Sequence, residues 1–182
     1  MQWTIPGTTL QGQRSDADRT DALLRSMFLA GGLTLSQIAT VTGLETHTVQ
    51  NWVKRGFLTA PQGKRYDQEQ LCRILNINLL RGALPLEQTA VLLAYLNGDL
   101  TDESDDLIDD AQLYCMFVKL AARARHLGGT KAWDDALEEV TRDYPEPIPG
   151  AREKLRKVLK IMLTAWCANR LQQEAEAMIL AL

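Results

Sequence analysis

The sequence predicts an all-α protein, mainly helical with one small β-hairpin, in which a winged helix-turn-helix is followed by a C-terminal helical bundle. Three observations predict it. Apolar residues recur at helical period over most of the 182 residues, and glycines and prolines divide the periodic stretches at short intervals. The segment from Thr34 to Lys54 then places small, apolar and polar residues at the spacings that two helices crossing at a tight turn require.

In order along the chain, residues 1–14 hold Pro6, Gly7 and Gly12 and read as an irregular lead-in on which Trp3 and Ile5 can dock. Asp16 or Asp18 starts a helix that stops at Gly31-Gly32. Thr34 caps a short helix to about Thr42, and Thr46 caps the next, to about Arg55, which Gly56 terminates. Between these two helices Ala39 supplies a small side chain at the close approach, and Gly43 supplies the φ > 0 of the turn. Ile38, Val49 and Trp52 form the wedge beneath them. Phe57 to Tyr66, with Pro61 and Gly63 inside, reads as a two-stranded hairpin with Lys64 and Arg65 at its tip, the wing.

Asp67 and Gln70 make a capping pair for a helix through Leu71, Ile74, Leu75, Asn78 and Leu79 that stops near Gly82. Leu84-Pro85 opens another to about Leu96, closed by Asn97-Gly98. Seven acids and no base lie between Asp99 and Asp110. This run reads as a solvated loop and a first helical turn, since it lacks the glycine and terminal glutamate of an EF-hand loop. From about Asp105 to Leu127 apolar residues cover well over half the circumference, so that helix must be surrounded by protein. Gly128-Gly129 ends it, Thr130 caps a shorter helix to about Asp143, and Pro145, Pro147 and Pro149 stiffen a connector. The last helix, Ala151 to about Leu180, carries two apolar quartets, Leu155, Leu159, Met162, Trp166 and Leu171, Ala175, Met178, Leu182, interrupted at Asn169-Arg170. They suit packing on the preceding helices or on a second subunit. Met27, Met116, Met162 and Met178 read as core filler. Three segments follow: 1–32, a lead-in and helix; 33–98, the winged helix-turn-helix; and 99–182, the helical domain.

Composition narrows the function classes. With 46% hydrophobic and 24% charged residues the chain is ordinary for a soluble globular protein. No apolar run approaches the roughly 18 residues of a membrane span, and Met1 to Arg14 lacks the features of a signal peptide, so a cytoplasmic location is expected. Cys72, Cys115 and Cys167 are odd in number and far apart, which suits buried free thiols. Two histidines, His47 and His126, no phosphate-binding glycine loop and no nucleophile grouping argue against an enzyme, a cofactor or a metal site.

The net charge is −3, but it is unevenly divided. Leu33 to Gly82 holds six bases, Lys54, Arg55, Lys64, Arg65, Arg73 and Arg81, against Glu45, Asp67 and Glu69, whereas Pro85 to Tyr144 is strongly acidic. The positive part contains the helix-turn-helix. On the outer face of its second helix lie Thr46, His47, Gln50, Asn51 and Lys54, followed by Arg55, and the hairpin adds Lys64 and Arg65. Asn and Gln can pair bidentately with adenine, while Lys and Arg suit phosphates. The same residues also fit an ordinary exposed polar face, and His47 an exposed or capping position.

The succession Leu35-Ser36-Gln37-Ile38-Ala39, Gly43-Leu44, Trp52, Arg55-Gly56-Phe57-Leu58, Pro61 and Arg65-Tyr66 resembles the winged helix-turn-helix of MerR-type transcription regulators over roughly residues 33–98. Thr42-Gly43-Leu44-Glu45, Val49 through Gly56, Arg73 through Asn78, Tyr95-Leu96-Asn97-Gly98 and Leu113-Tyr114 resemble more closely an uncharacterised MerR-like family, domain of unknown function number 1836. The chain departs from the MerR pattern in carrying Gln50, Asn51 and Trp52 where those regulators have an arginine and two aromatic residues. The resemblance implies a regulator that binds double-stranded DNA with residues 46–55 in the major groove. A homodimer through the C-terminal helical region is expected as well, although the MerR dimer geometry does not carry over. The alternative is a winged-helix module for protein association that does not bind DNA.

Overall fold

Trp3 cannot stay in water cheaply, and the chain buries it at once. The first residues, expected to be irregular, form an antiparallel hairpin of β1 (Gln2–Thr4) and β2 (Gln11–Gln13), with Trp3 opposite Gly12. Its loop is closed by Thr8, whose Oγ1 donates to Ile5 O and accepts from Leu10 N, and by Gly7 at φ +75°. This computed structural model describes residues 2–98, 100, 103–124 and 130–182. His126 and the expected Gly128-Gly129 helix stop lie outside the described residues, as do Asp99, Asp102 and the Thr130 side chain.

A 3-10 turn, Arg14–Arg19, leads into α1 (Thr20–Met27), later than a start at Asp16 or Asp18. There follow β3 (Leu33–Thr34), α2 (Leu35–Thr42), α3 (Thr46–Lys54) and β4 (Arg65–Tyr66). Next come α4 (Gln68–Leu80), α5 (Leu86–Asn97), α6 (Asp110–Arg123), α7 (Thr130–Thr141) and α8 (Ala151–Leu180). The fold is mainly helical with small two-stranded sheets. No helix among the described residues is long and apolar enough to cross a membrane.

Two helix starts follow from the sequence directly. Thr34 with Gln37 and Asp67 with Gln70 form reciprocal capping boxes, which satisfy backbone donors that a helix start leaves unpaired. At α3 the cap is Glu45, which makes no side-chain capping bond, and Thr46 is the first helical residue. The Phe57–Tyr66 hairpin also differs from expectation. Only Gln62 bridges Arg65, across a turn in which Gly63 and Lys64 are both left-handed (φ +55° and +64°), the conformation that reverses twisted strands tightly. β4 pairs instead with β3, Leu33 opposite Tyr66 and Thr34 opposite Arg65, so the hairpin is stitched to the residue that caps α2.

One contiguous core draws on residues from the N-terminal hairpin to α8. At its centre α6 packs on α1, α4, α7 and α8, as its wide apolar surface demands, with Leu113, Tyr114, Phe117 and Leu120 fully buried. Tyr114 donates its buried hydroxyl to Pro6 O at 2.7 Å, tying the N-terminal hairpin to the centre of the molecule. Cys72 and Cys115 are buried free thiols, and Cys167 is half-buried. The acidic run is not uniformly solvated. Asp109 caps α6 by accepting from Gln112 N at 2.6 Å, but Asp110 turns inward to Arg73 and Asn76.

The two quartets of α8 part company. Leu155, Leu159, Met162 and Trp166 are buried, whereas every residue from Leu171 to Leu182 is exposed, including Met178, which is therefore not core filler. The last three turns of α8 project beyond the body.

Candidate nucleic-acid interface

The position of α3 is determined by its inward side. Val49 and Trp52 are buried against Ile38 of α2, with Leu44, Leu58 and Tyr66 in the same core. Gly43 ends α2 at φ +71° and donates its N–H to Ala39 O at 2.9 Å, a conformation that a residue with a Cβ adopts only with strain. Ala39 is half-buried between the helices. The buried hydroxyl of Thr42 completes the turn, donating to Ile38 O at 2.8 Å and accepting from Leu44 N at 3.2 Å.

The turn is held from below as well. Asn78 on α4 donates through Nδ2 to both Thr42 O and Gly7 O, each at 2.9 Å. From the other side, Thr9 in the N-terminal loop donates its N–H to Val41 O and its hydroxyl to Thr40 O. After α3, buried Gln70 donates to Thr59 Oγ1, Thr59 O and Ala60 O and so fixes the path from α3 to the hairpin. Thr9, Asn78 and this role of Gln70 were not evident from the sequence. The usable signal was an amide at a helical-period position otherwise held by leucine and isoleucine, which implies a buried partner.

With its apolar side so committed, α3 presents Thr46, His47, Gln50, Asn51 and Lys54 to solvent along one face. All eight expected contact residues are exposed, but they fall into three groups. The five on α3 form the first. Arg55, just past the helix, pairs with Glu87 of α5 and stacks over Phe57, with Cζ 4.9 Å from the ring centroid. A backbone hydrogen bond at Glu87 itself, and then the Arg55 guanidinium, hold the Glu87 carboxyl below its ordinary value. Arg55 is therefore engaged within the protein. The third group is the hairpin tip, where Lys64 occupies the turn and Arg65 Nη1 donates to Gly32 O at 2.7 Å. Gly32 is required there, because a methyl in its place would meet Tyr66 O at 2.8 Å.

In chemical terms the α3 face offers amide donors and acceptors, a hydroxyl, an imidazole and one ammonium group on a rigid helix. Such a set suits hydrogen bonding to a polar surface.

Comparison with known proteins shows what this region is similar to. Residues 32–117 match the family described as "Domain of unknown function (DUF1836)". The matched stretch runs from Gly32 through most of α6, and so takes in the helix-turn-helix, the hairpin and the α4–α6 packing that supports them. The chain is also 25% identical over 158 residues to "Uncharacterized protein YkrK" of Bacillus subtilis (strain 168), covering 79% of this chain and 67% of that protein. No solved structure matches the chain significantly. Neither description names an activity.

Proposed function

We propose that the protein is a sequence-specific double-stranded DNA-binding regulator of transcription, of MerR-like type, that enters the major groove with α3. The observation that carries this reading is the exposed stripe of Thr46, His47, Gln50, Asn51 and Lys54 on the second helix of a buttressed helix-turn-helix. A helix of this kind fits the major groove, where Gln and Asn read adenine edges and lysine reaches phosphate. Lys64 and Arg65 supply backbone contacts beside it. Lys54, Lys64 and Arg65 are three of the six bases between Leu33 and Gly82, and local positive charge of this kind is what a phosphate-facing surface needs in a chain that is acidic overall.

The protein acts as a cytoplasmic homodimer through the projecting end of α8. Leu171, Ala175, Met178 and Leu182 follow one another at the spacing of a two-helix seam and have no partner in the monomer among the described residues. Recognition, not catalysis, is the activity.

An anisotropy titration against randomised duplex DNA at low salt tests the reading. Binding at micromolar protein that weakens steeply with added salt is the expected result. Absence of salt-sensitive binding, together with recovery of a stoichiometric protein partner from nuclease-treated lysate, would replace it with a protein-association module.

A further inference from the structure

A cleft of about 690 Å³ lies between the N-terminal hairpin, the end of α4 and α8 at the point where that helix leaves the body, and it borders the residues that support the α2–α3 turn. Its walls include Arg14, Arg81 and Arg170 and, among the described residues, no carboxylate. In a chain with 23 acids and 20 bases, three arginines from three separate elements gathered without an acid is a marked local imbalance. None of the three is ion-paired among the described residues, while Arg25, Arg55, Arg73, Arg123 and Arg156 all are. Arg14 lies over the ring of buried Trp3 at 5.3 Å and Arg170 over that of buried Trp166 at 5.0 Å. Stacking of this kind orients a guanidinium and leaves its N–H edge available. The half-buried Asn169 amide lies over Gly82, in the space that a Cβ there would take.

We propose that this cleft is a binding site for a small organic polyanion, a metabolite bearing phosphate or carboxylate groups, with Arg14, Arg81 and Arg170 as its charge-reading residues. Pre-oriented guanidiniums bind phosphate and carboxylate bidentately, and the volume matches a small-molecule site rather than a lone inorganic ion. An occupant also meets Gly7, Thr42 and Asn78, the residues that hold the turn between α2 and α3. The site does not depend on what α3 contacts.

The test is thermal unfolding of the full chain with pyrophosphate, citrate or ATP at constant ionic strength, followed by calorimetric titration. A saturable rise in midpoint with at least one of them is expected. A response to pyrophosphate and ATP alone identifies phosphate chemistry, and a response to citrate identifies carboxylate chemistry. Arg81→Ala and Arg14→Ala should each weaken that binding at least tenfold, while Arg25→Ala, outside the cleft, leaves it unchanged. The proposal is overturned if none of the three probes shifts the midpoint at millimolar concentration. It is equally overturned if the shift survives in a folded Arg14→Ala/Arg81→Ala protein.

Discussion

Arg73 on α4 and Asp110 at the start of α6 meet at 3.4 Å with both side chains almost wholly out of water. Asn76 adds a hydrogen bond of 2.9 Å to the same carboxylate and another of 3.2 Å to its backbone carbonyl. Burial pushes the Asp110 carboxyl upward, and the guanidinium and the amide oppose that push. Removing one partner strands the other charge in a low dielectric. Asp110→Ala should therefore cost about 3–5 kcal/mol in urea unfolding. Arg25→Ala, which breaks an exposed pair with Asp21 within α1, should be close to neutral.

Glu69 stands near that pair and accepts from Ala111 N at 3.2 Å. Loss of hydration around the carboxylate, and then the charge of Asp109, raise its pKa to about 7. Between its ordinary value and that point, the folded protein holds a proton that the unfolded chain has released. Stability attributable to this group is thus full at low pH and lost as pH rises toward 7. The Glu69 carboxyl resonance should titrate near neutrality, and Asp109→Asn should lower its midpoint without restoring the ordinary value. The denaturation midpoint of Glu69→Gln should gain on that of the parent protein as pH passes from 5 to 8.

Asn78 serves two carbonyls with one amide nitrogen. Asn78→Ala leaves Gly7 O and Thr42 O without that donor, which should cost about 1–3 kcal/mol. Faster hydrogen exchange localised to the α2–α3 turn and the N-terminal loop would verify the assignment, whereas uniform acceleration would contradict it.

On DNA, Lys64→Ala and Arg65→Ala should weaken binding alike for all sequences, each lowering the salt slope by about 1. Asn51→Ala should instead change which sequences are preferred, since a bidentate contact to a base is worth about 1–3 kcal/mol of discrimination. Identical behaviour of all three variants would refute this division of labour.

Deleting residues 171–182 removes only exposed side chains. The unfolding midpoint should stay within a few degrees of the parent, while sedimentation velocity should show loss of the dimer. A parent protein that sediments as a monomer at high micromolar concentration excludes the α8 seam.

Much of the fold was legible because local rules and tertiary packing agree. The Thr34 and Asp67 capping boxes, the left-handed Gly43, the inward Val49 and Trp52 and the encircled α6 all follow from residue type and spacing. What was not legible depends on partners far away in sequence. Strand β4 pairs with residues some thirty positions earlier, and the N-terminal hairpin is tied down where Tyr114 and Asn78 donate to Pro6 O and Gly7 O, so no local pattern around either could announce it. Asp110 was hidden for the same reason: within a run of acids it looks solvated, and it is Arg73 and Asn76, more than thirty residues away, that turn it inward. At the candidate interface, the exposed stripe on α3 was readable, because the outward side of an amphipathic helix is the complement of its buried side. The engagement of Arg55 by Glu87 was not, since it requires knowing how α5 lies against the end of α3.

The overhang of α8 has an entropic consequence. Its residues after Arg170, Leu-Gln-Gln-Glu-Ala-Glu-Ala-Met, are nearly all strong helix formers, and Gln172 donates to Glu176 one turn on at 3.0 Å. Growing from a helix already nucleated in the body, this segment escapes the cost of starting a new one. Its rod-like shape is in place before anything docks on it, so an encounter there orders little backbone and the gain from covering its leucines and methionine is largely retained.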